Sequence, residues 1–329
     1  MDFARIRNAL QRPYGRREEV AAVLMYHRVD EVEHDVWGLA VHPSRFVQHL
    51  DVVRSRYRPA RLSGLAEDLA RGAIASRTVV VTFDDGYRDN LEVAKPLLVR
   101  YEVPATVFVA TACLTGSQSF WWDDLVEICF AGDALPEWGE VVVTDGQVEW
   151  NLSKLVGLGV PADSQTAREA VCRALREQLL TQSNIAIHEL VHDLRRLARL
   201  RPATGTLMDA DEVVRLQDDG LVDVGAHTVN HSSLPTLTRD EKLDEIGRSK
   251  VELEQLLGRP VKAFSYPYGD VDAETVECVR ETGFTCAVTV AEQPVVRWSD
   301  SLELPRLYVG DWTADEFTDR LDRFLKLQV

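Results

Sequence analysis

The strongest constraint on the fold is a set of short apolar runs that alternate with helical patterns along the chain. The clearest run, Thr78–Phe83 (TVVVTF), is β-branched and unbroken, as is typical of a strand buried on both faces of a parallel sheet. Similar runs lie at 21–26 (AAVLMY) and 105–110 (ATVFVA), and helical patterns follow at 45–57 and 90–100. This alternation predicts an α/β fold with a mostly parallel sheet.

The same alternation returns in the C-terminal half of the chain. A strong helical pattern occupies residues 240–257. Strand-like runs surround it at 222–225, 261–266, 286–290 and 304–309. A length of 329 residues suits one α/β barrel that carries an insertion. We therefore predict that residues 1–329 form a single catalytic barrel.

Residues 112–206 interrupt the alternation. They contain an aromatic run at 120–123 (FWWD), a predicted hairpin at 140–152 and a helical stretch at 166–200. We interpret 112–206 as an insertion carried on the barrel, not as an independent domain. Residues 1–20 precede the first strand and are interpreted as an N-terminal extension.

Charge narrows the class of partner. The chain has 37 basic and 53 acidic residues, a formal net charge of −16. Such a surface repels phosphate backbones and anionic lipid headgroups, so we expect no nucleic-acid partner. No stretch approaches the ~20 apolar residues of a membrane span. The oligomeric state is left open.

Two features predict a cytoplasmic location. Residues 1–17 are partly basic but lack the apolar core of a secretory signal, and we expect a short amphipathic helix there. The five cysteines are scattered, odd in number and without CxxC spacing, which suits reduced thiols.

Two carboxylates stand directly after the run 78–83: Asp84 and Asp85, followed by Gly86. Adjacent residues that leave a strand point in different directions, so one carboxylate can bind a metal while the other faces a reacting water. A solvated Asp-Asp-Gly turn would have the same sequence. The position after a buried strand favours a functional site, because α/β barrels place their chemistry at the carboxyl ends of strands.

A second candidate site is His227-Thr228-Val229-Asn230-His231, which follows the strand-like residues 222–225. Two histidines four residues apart meet on one side of a helical turn, a spacing that suits two imidazole ligands of one divalent ion. Capping or packing histidines are the alternative. With one carboxylate, the pair makes a three-ligand site that leaves positions open for water and substrate.

A third candidate is the run 264–269 (FSYPYG), where a predicted strand enters a rigid turn. Such a turn can present backbone N–H groups and aromatic walls, although turns of this kind are usually structural.

In this order, TFDDG at 82–86, HTVNH at 227–231 and FSYPYG at 264–269 resemble the three leading motifs of the polysaccharide deacetylase family. This family is the NodB-like carbohydrate esterase family four, and the resemblance covers roughly residues 20–111 and 207–310. It implies a distorted, incomplete (β/α) barrel and metal-dependent removal of an N-acyl group.

The resemblance also implies roles for individual residues. Asp84 would be the general base. Asp85, His227 and His231 would bind one divalent ion. Zinc is the expected metal, and cobalt, nickel or manganese are the alternatives. A backbone amide near Tyr268 would help to hold the oxyanion. Pro267, in the same turn, Arg306 and Trp122 are further candidates for contact with the substrate or the oxyanion.

This chain departs from the family pattern at two points. Many members have an arginine in the third motif, where Ser265 stands here, and a histidine near the C-terminus, whereas no histidine follows His231. His27, in the run LMYHRV, is the candidate acid, as in a permuted subgroup that resembles the biofilm poly-N-acetylglucosamine deacetylases. The alternative for His27 is a core or capping role. Arg306 is the candidate replacement for the missing arginine.

The expected reaction is hydrolysis of an N-acetyl amide on an amino sugar or a carrier-linked glycan, which releases acetate and a free amine. Trp122 is a candidate for contact with the sugar ring. Two alternatives stay open: hydrolysis of another amide, such as a formyl group or a ureide, and a catalytically inactive module that binds glycan.

Overall fold

The structure, a computed structural model, describes residues 20–116, 119–130, 138–143, 146–151, 165–180, 182–201 and 205–326. Nearly all of the predicted N-terminal extension, and with it the predicted amphipathic helix, lies outside the described residues.

Within the described residues the chain forms thirteen strands and ten α-helices, joined by shorter helical turns. The strands are β1 (Val20–Tyr26), β2 (Arg28–Val29), β3 (Ala40–Val41), β4 (Arg58–Ala60), β5 (Thr78–Phe83), β6 (Ala105–Val109), β7 (Trp138–Val143), β8 (Gly146–Asn151), β9 (Val222–Ala226), β10 (Ala263–Ser265), β11 (Cys286–Val288), β12 (Val295–Val296) and β13 (Leu307–Tyr308). The α-helices are α1 (Pro43–Arg56), α2 (Leu62–Ala70), α3 (Lys95–Tyr101), α4 (Trp121–Phe130), α5 (Gln165–Leu179), α6 (Asn184–Leu197), α7 (Ala210–Leu216), α8 (Arg239–Leu257), α9 (Ala273–Glu281) and α10 (Ala314–Phe324). None of the helices so described is long and apolar enough to cross a bilayer.

A curled, largely parallel sheet forms the centre of the fold. Its order is β11-β10-β9-β6-β5-β1-β12, with β13 beside β1 and β4 beside β5. Only the β1–β12 pair is antiparallel among the described strands of this sheet. The predicted class, a distorted and incomplete (β/α) barrel, is confirmed.

The segment 304–308, which ends in β13, spans the gap between the two sides of the curled sheet. Leu304 forms a parallel bridge with Val288 of β11. Three residues on, Leu307 pairs with Leu24 of β1. The segment therefore runs from one side of the sheet to the other and carries Arg306 between these two contacts.

Local sequence signals set several element ends. In α8, the Thr238 side chain accepts a hydrogen bond from the Glu241 backbone, and the Glu241 side chain accepts one in return, which forms a capping box. Gly258 ends this helix with φ +64°, a left-handed conformation that costs glycine little. The predicted helical stretch 166–200 is two helices, because Ser183 caps a new helix through the Ala186 N–H.

The predicted insertion contributes an apolar cluster of its own. Helices α4, α5 and α6 pack together around buried side chains such as Leu125, Leu175 and Leu190. Tyr87 and Leu207, which flank the barrel strands, belong to the same cluster. The predicted hairpin is present as β7 and β8. This shared packing is compatible with an insertion carried on the barrel; the domain boundaries stay a prediction.

A buried histidine makes the fold sensitive to acid. His49 of α1 is fully buried, with Nδ1 3.2 Å from the Tyr26 hydroxyl and Nε2 2.8 Å from the Trp312 carbonyl oxygen. A carbonyl oxygen only accepts, so Nε2 carries the hydrogen and Nδ1 accepts from Tyr26. Burial lowers the pKa of His49 to about 4, although the bond to Trp312 opposes this.

We therefore expect the free energy of unfolding to fall as the pH drops below about 6.5, the pKa of an unfolded histidine. The unfolded state takes up a proton there and the folded state does not until the pH nears its own pKa. The contribution of His49 between pH 7 and pH 5 is about 2 kcal/mol. Urea unfolding at both pH values should show this loss in the wild type and in the exposed control His192→Gln. The loss should shrink in His49→Gln, and an unchanged loss in that variant would contradict the assignment.

Candidate metal and catalytic site

The candidate site lies where the carboxyl ends of β1, β5, β9 and β10 meet. Each of these strands is followed directly by a polar side chain or an aromatic turn that the sequence analysis singled out. A cavity of about 410 Å³ opens above the strand ends, within the usual size of small-molecule pockets. Its lining residues are Met25, His27, Trp37, Leu39, Asp84, Asp85, Trp122, Arg173, Arg176, Glu177, His227, His231, Tyr266, Tyr268, Gly269 and Val290.

Asp85, His227 and His231 form a buried cluster of potential metal ligands. Each offers one donor atom, and the three atoms lie within 4.8 Å of one another. The Asp85 Oδ1 atom is 3.5 Å from His227 Nε2 and 3.3 Å from His231 Nε2. One carboxylate and two imidazoles are ligands that suit zinc and similar divalent ions. The structure thus brings the predicted ligand set together.

The partner of the other His227 nitrogen supports this interpretation. His227 Nδ1 lies 2.7 Å from the Ser265 carbonyl oxygen. Because that oxygen accepts, Nδ1 carries a hydrogen, and the lone pair of a neutral His227 lies on Nε2, on the side of Asp85. Metal-binding histidines usually have their second nitrogen fixed in this way.

The carboxylate of the cluster is held in its ionised form. Burial raises the pKa of Asp85, but its contacts with His227 and His231 outweigh burial and hold the pKa far below its usual range. Burial lowers the pKa of His231. For His227, burial is outweighed by Asp85 and Asp84, which raise its pKa. Asp85 is therefore ionised, as metal binding requires.

The spacing of the two histidines predicted that they share a helical turn, and this prediction is wrong. Residues 227–231 form an irregular loop in which Thr228 and His231 have φ values of +64° and +54°. The loop is fixed by Glu245 of α8, whose carboxylate accepts hydrogen bonds from the Val229 and Asn230 backbones at 3.0 and 2.9 Å. The rings meet because of this loop conformation, not because of helical geometry. Nothing in the sequence pattern of α8 singled out Glu245.

Asp84 points away from Asp85 and pairs with Arg306. The guanidinium donates from Nη1 to Oδ1 at 2.8 Å and from Nη2 to Oδ2 at 2.7 Å. Its remaining hydrogens reach the Thr289 carbonyl and the hydroxyls of Thr82 and Ser265. All five N–H donors of Arg306 therefore have acceptors.

The predicted substrate contact of Arg306 is wrong, whereas its predicted role as the replacement arginine agrees with this geometry. Arg306 is 1% exposed and does not line the cavity, because it lies behind Asp84. It occupies the place expected of an arginine that orients Asp84. Burial raises the pKa of Asp84, but Arg306 outweighs burial and lowers it, so Asp84 is an ionised proton acceptor.

His27 lies at the end of β1 on the cavity wall. Its backbone carbonyl accepts a hydrogen bond from Asn90 Nδ2 at 2.8 Å. The buried Nδ1 atom of its ring has no hydrogen-bond partner in the part of the chain that the structure describes. The residue itself lines the cavity, where a substrate can reach its ring. Its neighbour Tyr26 instead points into the core, where it contacts His49.

Aromatic side chains enclose one side of the metal cluster. The ring centroids of Trp122 and Tyr268 lie 4.9 and 4.6 Å from that of His231. Trp122 is fixed by its Nε1 donor, 3.0 Å from the Tyr87 hydroxyl, which in turn donates to Asp123. Both rings line the cavity. The predicted contact Pro267 is buried behind the wall and does not line it.

Backbone strain concentrates at the three motifs. Seven described residues other than glycine have positive φ, and four of them lie in the motifs: Asp85, Thr228, His231 and Tyr268. Such conformations cost about 1–3 kcal/mol each and persist where the surroundings impose them, most often at functional sites.

One wall of the cavity was not predicted from the sequence. Trp37, from the loop before β3, and Arg173, Arg176 and Glu177, from α5, all line it. No spacing in the sequence relates α5 to the strand ends, so only the fold could reveal this wall.

These features define a class of protein: an α/β half-barrel whose strand ends hold one carboxylate and two imidazoles beside an arginine-bound aspartate. A family model described as polysaccharide deacetylase matches residues 71–134 and 166–287, more than half of the chain. The chain belongs to the polysaccharide deacetylase family. A comparison with curated proteins gave no significant match.

Several solved structures share the fold. The deacetylase PplD of Streptococcus pyogenes, in complex with acetate, matches with a TM-score of 0.61 at 17% identity, over 94% of this chain and 100% of that chain. IcaB of Ammonifex degensii matches with 0.59 at 19% identity, over 94% and 98%. The deacetylase domain of BpsB from Bordetella bronchiseptica matches with 0.51 at 16% identity, over 88% and 96%. At these identities the likeness shows the fold alone.

Proposed function

We propose that this protein is a metal-dependent hydrolase that removes the acetyl group from an N-acetylated amino sugar or glycan. The observation that carries the proposal is the juxtaposition of two buried groups at one cavity. The first is the ligand cluster of Asp85, His227 and His231, and the second is Asp84, paired with Arg306. A binding groove needs neither group, whereas metal-assisted amide hydrolysis uses a metal site and a general base together.

The chemistry divides between the metal and the side chains. When bound, a divalent ion polarises the amide carbonyl and acidifies water in the cavity. Asp84 accepts the proton of the attacking water, since its carboxylate is ionised and fixed by Arg306. A protonated His27 donates a proton to the leaving nitrogen, so that a neutral amine departs instead of a strongly basic anion. The products are acetate and the free amine.

His27 follows β1, and no histidine follows His231 in the sequence. We therefore propose that this chain belongs to the permuted subgroup of the family, in which the histidine of an N-terminal YH motif is the acid. Tyr26 supports this assignment indirectly, because its hydrogen bond to His49 anchors the strand end from which His27 projects.

The cavity favours a sugar over a peptide as the carrier of the amide. Trp37, Trp122 and Tyr268 line it, and aromatic faces suit the C–H faces of a sugar ring. Zinc is the proposed metal, with cobalt, nickel or manganese as substitutes. We also propose a cytoplasmic location, for which the five free, buried cysteines are suitable.

The test is acetate release from N-acetylglucosamine derivatives with added Zn²⁺ or Co²⁺. We expect activity that a chelator abolishes and that readdition of metal restores. His231→Ala should lose both metal binding and activity. Metal binding without acetate release from any N-acetylated sugar would contradict the proposal, and release of formate from N-formyl sugars would reassign the acyl group.

The role of His27 requires its own variant. In His27→Ala we expect about a 100- to 10,000-fold loss of kcat, as for other general acids, with unchanged metal stoichiometry. His34→Ala, in the loop that follows β2, is the control and should retain activity. If His27→Ala stays fully active, the acid lies elsewhere while the metal site is unaffected.

A further inference from the structure

We propose that the α5 wall of the cavity is a subsite for a phosphate group attached to the N-acetylated sugar. The inference rests on the proposed function and narrows its substrate to an anionic amino sugar, such as a sugar phosphate or a carrier-linked sugar diphosphate. The residues that would bind the phosphate are Arg173 and Arg176.

The two arginines lie on one face of α5, in the wall of the cavity that also holds the metal cluster. They are three residues apart, so their side chains emerge from adjacent turns on the same side of the helix. Both line the cavity that also contains Asp85 and His231. Two like charges side by side repel one another, and an anion between them would remove that repulsion.

Neither arginine has an ion pair with a carboxylate among the described residues. The guanidinium of Arg176 lies 5.5 Å from the centroid of the Trp37 ring, which orients it without neutralising it. Arg195 on the neighbouring α6 shows the contrast, since Asp124 and Glu127 accept from it at 2.9 and 2.7 Å. Within the part of the chain that the structure describes, the cavity arginines thus retain hydrogen-bond donors for a ligand.

The other charges at the cavity do not satisfy these two cations. Asp84 is bound by Arg306, and Asp85 faces the two histidines. Glu177 lines the same wall, so the wall carries two positive charges and one negative charge. In a chain of net charge −16, a positive wall beside the reacting centre is a local exception. Neutral glycans need no such charge.

A guanidinium fork matches the oxygens of a phosphate and can donate two hydrogen bonds to it. Arg176 is half-buried against Trp37 and therefore loses little freedom on binding. Arg173 is more exposed and can follow the ligand.

The experiment compares kcat/KM for acetate release from three probes. These are methyl N-acetylglucosaminide, N-acetylglucosamine 1-phosphate and UDP-N-acetylglucosamine. We expect wild type to prefer the phosphorylated probes. Arg173→Gln and Arg176→Gln should each lower kcat/KM for them by about tenfold, the scale of a charge-assisted hydrogen bond, and leave the neutral probe within about twofold. A preference for the monophosphate would identify a sugar phosphate, and one for the diphosphate would identify a carrier-linked sugar.

Two further variants separate a local contact from a general effect of charge. Arg196→Gln removes a positive charge from the exposed face of α6 and should alter no probe. Glu177→Gln removes the negative charge of the wall and should raise kcat/KM for the phosphorylated probes. Equal losses for neutral and phosphorylated probes in the arginine variants would overturn the subsite while the proposed function stands.

If wild type releases acetate from none of the probes, the proposed function fails and binding decides the subsite by itself. Calorimetry would then compare N-acetylglucosamine 1-phosphate with the methyl glycoside. Tighter binding of the phosphate that Arg173→Gln/Arg176→Gln abolishes would support the subsite. Equal binding in wild type and variant would overturn it.

Discussion

Replacing Asp84 with asparagine is expected to lower kcat for acetate release by about 100- to 10,000-fold, the range of general base catalysis. The amide cannot accept the proton of the attacking water. The metal ligands are untouched, because Asp85 and the two histidines form a separate cluster. Metal stoichiometry, measured on the same preparation, should therefore equal that of wild type.

A control is needed because Asp84→Asn also leaves the Arg306 charge buried without a partner. Ser265→Ala removes a hydroxyl that contacts both Asp84 and Arg306 at 3.3 and 3.2 Å, but no charge. We expect this control to lose at most about tenfold in kcat, since the bidentate pair remains. Full activity of a folded, metal-loaded Asp84→Asn would exclude Asp84 as the base.

Replacing Arg306 with methionine is expected to lower the free energy of unfolding by about 3–5 kcal/mol, the cost of breaking a buried ion pair. Asp84 would keep its buried position but lose the partner that binds both its oxygens. Acetate release should fall as well, since the carboxylate would no longer be oriented. Urea unfolding and kcat, measured on the metal-loaded protein, test both effects.

The double variant Asp84→Asn/Arg306→Met separates folding from catalysis. Removal of both charges should recover up to about 3 kcal/mol relative to the sum of the single losses, because the two residues are in direct contact. Activity should not return, because the base is still absent. Arg306→Lys should restore part of the stability, since one ammonium cannot reproduce the five donors of the guanidinium. Additive single losses would contradict a direct Asp84–Arg306 pair.

The arrangement of the two aspartates and the two histidines in the candidate site could be predicted from the sequence. Asp84 and Asp85 follow the buried strand β5, and neighbouring residues at a strand end point apart, so their separation into two clusters could be foreseen. The structure brings His227 and His231 to Asp85, as their positions after β9 implied. They meet through an irregular loop in which Thr228 and His231 have positive φ, not through a helical turn.

Arg306 illustrates a weaker kind of prediction. Its position at the end of a late strand-like run made it the candidate replacement for the third-motif arginine. Its contact with Asp84 spans 222 residues of sequence and depends on the segment 304–308, which crosses between β11 and β1. No local pattern encodes that crossing.

Local periodicity and short motifs were enough to predict the alternation of strands and helices, the metal-ligand residue types and the family. Tertiary structure alone decided the α5 wall with Arg173 and Arg176, the clamp of Glu245 on the histidine loop and the burial of Arg306 behind Asp84. Each of these depends on how distant elements pack, and side-chain spacing within one element carries no information about the element it will face.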